Sequence, residues 1–361
     1  MTSSPLMIVT GRATHYLSAK ICEELRKYNG LTGLELCEPY VVNFANDNVK
    51  VKINESVRGA DVFVVQTAAP HHLSPRGMSA LAAEQLEGEL TLSDNIMELL
   101  ILVDALRSAS AGRITVVCPY FPYVRSDKKD EPHISITARL MADLFKTAGA
   151  DRVLSVNLHA LQIQGFFSMP CDQLDANPLI SEYLRKSFDC ERMGIVATDA
   201  GGVKIATVYA EALGLPLAVC DKRRVGDKKD PEITAVIGID EVKDRHLAIF
   251  DDEIMTGGTI VRAIEALSER FGLPVTYVTC VHPAFDEQAL NRILMAGVKH
   301  VITTDTLPPP TVNGRTHVVS TAALLAGAIF HIHTNQSVTK IFEVNRMLIE
   351  SVPERMSDEN L

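Results

Sequence analysis

Ile249-Phe250-Asp251-Asp252-Glu253-Ile254-Met255-Thr256-Gly257-Gly258-Thr259 decides the fold of this chain. Leu247-Ala248-Ile249-Phe250 is a short apolar run of buried-strand type, and it ends on two carboxylates. A Thr-Gly-Gly-Thr turn follows, and Ile260 to Phe271 then has the period of an amphipathic helix. Strand, turn and helix in that order make a parallel-sheet unit, with its ligands at the carboxyl end of the strand. The N–H groups of the turn and the hydroxyls of Thr256 and Thr259 suit a phosphate. Gly257 and Gly258 let the backbone come close to it, and Asp251 and Asp252 can accept hydrogen bonds from the 2- and 3-hydroxyls of a ribose. Read alone, the same residues are also an acidic first turn of a helix.

Outward from this stretch the same rhythm repeats. Val62–Val65, Ile114–Val117 and Val153–Val156 read as strands, with helices over Asn95–Ala109 and Ile136–Ala148 between them. In the second half Ile195–Ala197 leads through Gly201-Gly202 to a helix over Val203–Leu213. Leu217–Val219, Val275–Val278 and Val298–Ile302 are further strands. Alternation of this kind implies an α/β fold of two tandem domains, each with a mainly parallel central sheet flanked by helices. The Asp175–Pro178 cluster sets the boundary. The expected domains are residues 1–176 and 177–345, with a polar tail over 346–361. Pro70–Ser93 reads as irregular, with a short helix over Met78–Leu86.

The 361 residues suit two domains. A net charge of −10 argues against broad nucleic-acid binding but leaves room for local anion sites. Seven cysteines, an odd count without Cys-x-x-Cys spacing, point to a reducing compartment. No secretory start or membrane-length apolar run is evident, so no membrane partner and a cytoplasmic location are expected.

Four other segments carry chemistry. Tyr120-Phe121-Pro122-Tyr123-Val124-Arg125-Ser126-Asp127-Lys128-Lys129-Asp130 follows a strand, and its cations can neutralise a triphosphate; alone, it is equally a solvated basic loop. Asn157-Leu158-His159-Ala160 places a histidine just past a strand. Thr198-Asp199-Ala200-Gly201-Gly202 pairs a carboxylate with exposed backbone donors, and Asp221-Lys222-Arg223-Arg224 is a basic run. There is no Gly-x-x-x-x-Gly-Lys-Ser/Thr loop and no dinucleotide-binding fingerprint.

Together these segments resemble the ribose-phosphate diphosphokinases, from about Thr10 to Phe342. Residues 249–259 resemble the phosphoribosyl-pyrophosphate loop of the type I phosphoribosyltransferase fold. The resemblance implies transfer of pyrophosphate from ATP to ribose 5-phosphate, with Mg²⁺ as cofactor. It implies Lys222, Arg224 and His159 as catalytic residues. Arg125, Ser126, Asp127, Lys128, Lys129 and Asp130 would bind ATP, together with Phe44, Asn46 and Asn48, which in this family reach a neighbouring subunit's adenine. Asp199, Asp251, Asp252, Thr256, Gly257, Gly258 and Thr259 would bind ribose 5-phosphate, and His159, Asp199 and Asp172 the metal. Self-association into a dimer or larger assembly follows, with paralogous subunits as possible partners. The chain departs from the pattern at Asn157, Ser168 and Met255, where the family carries acids, and at Asn46 and Asn48. Those losses keep open a regulatory subunit of a hetero-oligomer; a phosphoribosyltransferase would leave Arg125–Asp130 and His159 unexplained.

Overall fold

The computed structural model describes residues 4–46, 48–69, 90–223, 232–308 and 314–338. The expected helix over Met78–Leu86, Arg224 and the polar tail lie outside them. The chain divides into two compact units, and the split falls between Asp175 and Ala176.

In the first unit β1 (Leu6–Thr10) leads to α1 (His15–Leu25), then β2 (Leu36–Cys37) and the pair β3 (Tyr40–Asn43) and β4 (Val49–Lys52). β5 (Asp61–Val65), α2 (Leu92–Ser108), β6 (Arg113–Val117), α3 (Thr137–Ala148), β7 (Arg152–Val156) and β8 (Cys171–Leu174) complete the run. The sheet order is β2-β1-β5-β6-β7-β8, and every pair in it is parallel. Phe63 sits between Ile8 and Thr115 in register. All five residues of β5 are buried, as a parallel strand covered on both faces requires. β3 and β4 stand apart as an antiparallel arm.

The second unit opens on α4 (Asn177–Ser187). Asn177 and Pro178, which read as linker, are the first turn of this helix, where a missing N–H costs nothing. β9 (Met193–Ala197), α5 (Val203–Leu213), β10 (Leu217–Arg223), β11 (Glu232–Ile237) and the single turn α6 (Ile239–Val242) follow. Next come β12 (His246–Ile254), α7 (Gly258–Phe271), β13 (Val275–Pro283), α8 (Glu287–Met295), β14 (His300–Thr304) and β15 (Thr316–Val319). The sheet order is β11-β10-β9-β12-β13-β14-β15, parallel except for the β10–β11 hairpin. β12 runs on through Asp251, Asp252 and Glu253 to Ile254, four residues beyond the apolar run. Ladder pairs Glu253–His282 and Ile254–Pro283 sustain it. One core of this unit joins Ile249, Ile260, Ile264, Leu267, Val278 and Ile293.

α9 (Ala322–His333) groups with the first unit, not with the second as the sequence order had it. It packs on α1, and the rings of Phe330 and Tyr28 stack with centroids 4.2 Å apart. Arg113 fixes its end, with Nη2 donating to the carbonyl of Ile332 at 2.9 Å.

Candidate active site

In the second unit the deciding stretch forms the expected strand, turn and helix. Asp251 and Asp252 are half-buried at the end of β12. Each uses one carboxylate oxygen to accept the next residue's N–H at 2.9 Å, which fixes its rotamer. The chain then turns at Gly257, whose φ of +69 suits glycine and whose added Cβ would lie 3.1 Å from Ile293 Cδ1. Arg292 ties the turn down by donating to the carbonyl of Thr256 at 2.9 Å.

α7 starts at Gly258, two residues earlier than the apolar period indicates, and no side chain caps it. Val261 N–H donates to Gly257 O at 2.9 Å, so the N–H groups of Gly258, Thr259 and Ile260 precede the first helical hydrogen bond. The hydroxyls of Thr256 and Thr259 are exposed and form no hydrogen bond among the described residues. Gly258 differs from Gly257. A Cβ there meets nothing nearer than Thr256 Oγ1 at 3.8 Å, so the fold alone does not demand glycine.

Asp199 follows β9, and Lys222 lies on the neighbouring β10. The structure brings them together, with Lys222 Nζ 3.5 Å from Asp199 Oδ2. Asp199 Oδ1 accepts the N–H of Gly202 at 2.9 Å, which sets the Gly201-Gly202 turn. A cavity of about 1180 Å³ is lined by Asp199, Lys222, Thr259 and Arg262, among others. Cys220 also lines it, and burial pushes its thiol up to about 11, far from a nucleophile.

In the first unit two expected segments lie at the carboxyl ends of neighbouring strands. Gln162, in the turn after His159, donates from Nε2 to the buried Asp127 at 2.7 Å. Asp127 therefore anchors the loop from inside, while Arg125, Lys128, Lys129 and Asp130 are exposed and Ser126 is half-buried. Phe121 packs edge-on against Phe167 at 5.4 Å and joins the same two segments below. His159 is exposed. Asn157 has φ +38 and donates from Nδ2 to Asp175 Oδ1 at 3.0 Å. The carboxylate of Asp172 is paired with Arg152.

Phe44, Asn46 and Asn48 lie at the tip of the β3–β4 arm, with Phe44 51% exposed. The arm is pinned next to its tip, at the Asn43–Val49 pair, by a buried cation. Arg12 Nη2 donates to Asn43 Oδ1 at 2.9 Å, and Arg12 Nε donates to Glu98 Oε2 at 2.6 Å. Sequence reasoning missed Arg12, Gln162, Asp175 and Arg262. Only Arg262 had a signal there: it lies four residues after Gly258, on the same helix face.

Among the described residues no three of His, Cys, Asp and Glu group as a metal cage. The donor chemistry still fits Mg²⁺, which typically takes one or two carboxylates and completes its shell with phosphate oxygens and water. Asp199 supplies such a carboxylate beside the cavity.

Residues 6–149 match the family model for the N-terminal domain of ribose phosphate pyrophosphokinase, and residues 173–286 match the phosphoribosyl transferase domain. The ribose-phosphate pyrophosphokinase of Deinococcus radiodurans is 37% identical over 345 residues, covering 94% of this chain and 98% of that protein. That of Corynebacterium efficiens is 38% identical over 340 residues, 94% and 96% of the two chains. The crystal structure of phosphoribosylpyrophosphate synthetase from Mycobacterium smegmatis superposes with a TM-score of 0.76 at 35% identity, covering 92% of this chain and 100% of that one. The chain belongs to the ribose-phosphate pyrophosphokinase family. Its two mainly parallel sheets flanked by helices are the architecture of that family.

Proposed function

We propose that this chain transfers the pyrophosphoryl group of ATP to the C1 hydroxyl of ribose 5-phosphate, giving 5-phosphoribosyl 1-pyrophosphate and AMP. The observation that carries this is the uncapped start of α7 behind the Asp251–Asp252 pair, in a member of this family. The C1 oxygen attacks the β-phosphorus in line, and the bond from that phosphorus to the oxygen of AMP breaks. Such transfers rest on positioning and electrostatics.

Asp251 and Asp252 accept hydrogen bonds from the ribose hydroxyls. The Gly257, Gly258 and Thr259 backbone and the Thr256 and Thr259 hydroxyls hold the 5-phosphate. Arg125, Ser126, Lys128, Lys129, Asp130 and His159 face the nucleotide, with Asp127 positioning their loop through Gln162. Lys222 and Arg224 offset the charge that develops on the transferring group. Phe44, Asn46 and Asn48 serve the adenine of a second copy, which makes the chain at least a dimer.

When bound, Mg²⁺ neutralises the phosphate oxygens and holds them in line. His159 on the nucleotide side and Asp199 on the sugar side are the side chains suited to it. Asp172, paired with Arg152, is left out.

The test is AMP release by the purified chain with ATP and ribose 5-phosphate across a Mg²⁺ titration. Turnover that needs both substrates supports the reading. No turnover at any Mg²⁺ level, alone or with paralogous chains, overturns it.

A further inference from the structure

We propose that Arg262 is a further substrate-binding residue, its guanidinium gripping the 5-phosphate of ribose 5-phosphate above the Thr256–Thr259 turn. This rests on the sugar-phosphate reading of that turn. Arg262 stands on α7, four residues after Gly258. Helical side chains lean toward the N-terminus, so residue i+4 overhangs residue i. Arg262 does so here. Its Nη1 lies 4.0 Å from the point that a Cβ on Gly258 would occupy, and Thr256 Oγ1 lies 3.8 Å from the same point. A guanidinium and a hydroxyl thus flank the space directly over a glycine that the fold does not require.

Arg262 is also exposed and, among the described residues, unpaired beside the open helix start. The N-terminal end of a helix carries partial positive charge, and a cation leaning over it is disfavoured. Its neighbours have partners. Arg270 is paired with Glu232, and Arg292 donates to Thr256 O. Arg262 forms no hydrogen bond or ion pair among the described residues, although Glu265 and Glu269 share its helix. Met255 to Thr259 contains no acid, and Asp199, Glu265 and Glu269, which line the same cavity, form no ion pair with it. A dianionic phosphate matches this arrangement, because the guanidinium fork takes two of its oxygens and the helix dipole favours the anion.

The experiment compares wild type, Arg262→Ala and Arg262→Lys as full chains in steady-state kinetics and in calorimetric titration with ribose 5-phosphate. Arg262→Ala should raise the KM and Kd for ribose 5-phosphate about tenfold, the low end for a charged hydrogen bond at an exposed site. The KM for ATP should stay within about twofold, and Arg262→Lys should recover part of the loss. Thermal unfolding of all three should coincide. An unchanged Kd in Arg262→Ala, with a wild type that binds and turns over, overturns the role of Arg262 and leaves the function standing. A wild type that does not bind ribose 5-phosphate overturns both.

Discussion

Two helices of this molecule begin in opposite ways. α2 is closed by its own residues. Thr91 Oγ1 accepts the N–H of Asp94 at 3.1 Å, and Asp94 Oδ2 accepts the N–H of Thr91 at 2.7 Å, a reciprocal capping box. α7 begins on two glycines with no cap. A helix start closed by side chains serves stability, and an open one that follows two carboxylates and a Thr-Gly-Gly-Thr turn suits an anion. The difference separates residues that hold the fold from residues that hold the substrate.

The largest break in the comparison is expected at the acids before the open helix. Asp251→Ala combined with Asp252→Ala should abolish measurable ribose 5-phosphate binding by calorimetry, while circular dichroism stays that of the wild type. Unchanged affinity in the folded variant would remove these carboxylates from the site.

The paired glycines sharpen the contrast within one turn. Gly258→Ala should leave the unfolding midpoint unchanged, because its Cβ meets only ordinary contacts, and should raise the KM for ribose 5-phosphate more than about tenfold by crowding the ligand. Gly257→Ala should instead destabilise the protein by about 1–3 kcal/mol in a denaturant titration, through its positive φ and Ile293. A stability loss at Gly258 equal to that at Gly257 would mean that both serve the fold.

At the closed helix the expectation is reversed. Thr91→Ala should cost about 1 kcal/mol of stability and leave both KM values alone. A raised KM would show that this helix start also answers to ligand.

The smallest effect is expected at a helix end. Burial raises the pKa of Asp61, but hydrogen bonds from His333 and Arg113 outweigh it and hold the carboxyl below its usual value. A depressed pKa gives stability that is complete above the unfolded value and lost as pH falls through the folded one. Acid titration of unfolding should therefore show a shallower loss below the usual carboxylate range in Asp61→Asn than in wild type. Equal slopes would exclude Asp61 from acid sensitivity.

The sequence made the strand–turn–helix around Asp251 legible because apolar runs, glycines and hydroxyls are local signals. Helix 203–213 is likewise where its periodicity placed it. The extension of β12 through three acids was not legible, since its cause is pairing with β13, a partner remote in sequence. Nor was the first turn of α4 at Asn177-Pro178, where residues typical of linkers do helical work. In the site, the backbone-rich turn could be read from residue types. The Gln162–Asp127 bond could not, because 35 residues separate its ends and only the adjacency of β6 and β7 closes that gap. Asn157 read as a lost carboxylate. The structure adds that its amide is bonded to Asp175, so an aspartate at 157 would face another carboxylate.

α9 is made last among the described helices, yet it covers α1, one of the first segments made. While the polypeptide leaves the ribosome, the first unit therefore lacks one of its walls until more than three hundred residues have been joined. During that interval Tyr28 has no Phe330 to stack on, and the α1 surface that α9 will cover faces solvent. Completion of the first unit waits for α9, and a message cut short before α9 yields a first unit that lacks its closing helix and keeps an open apolar flank, a substrate for chaperones and proteases.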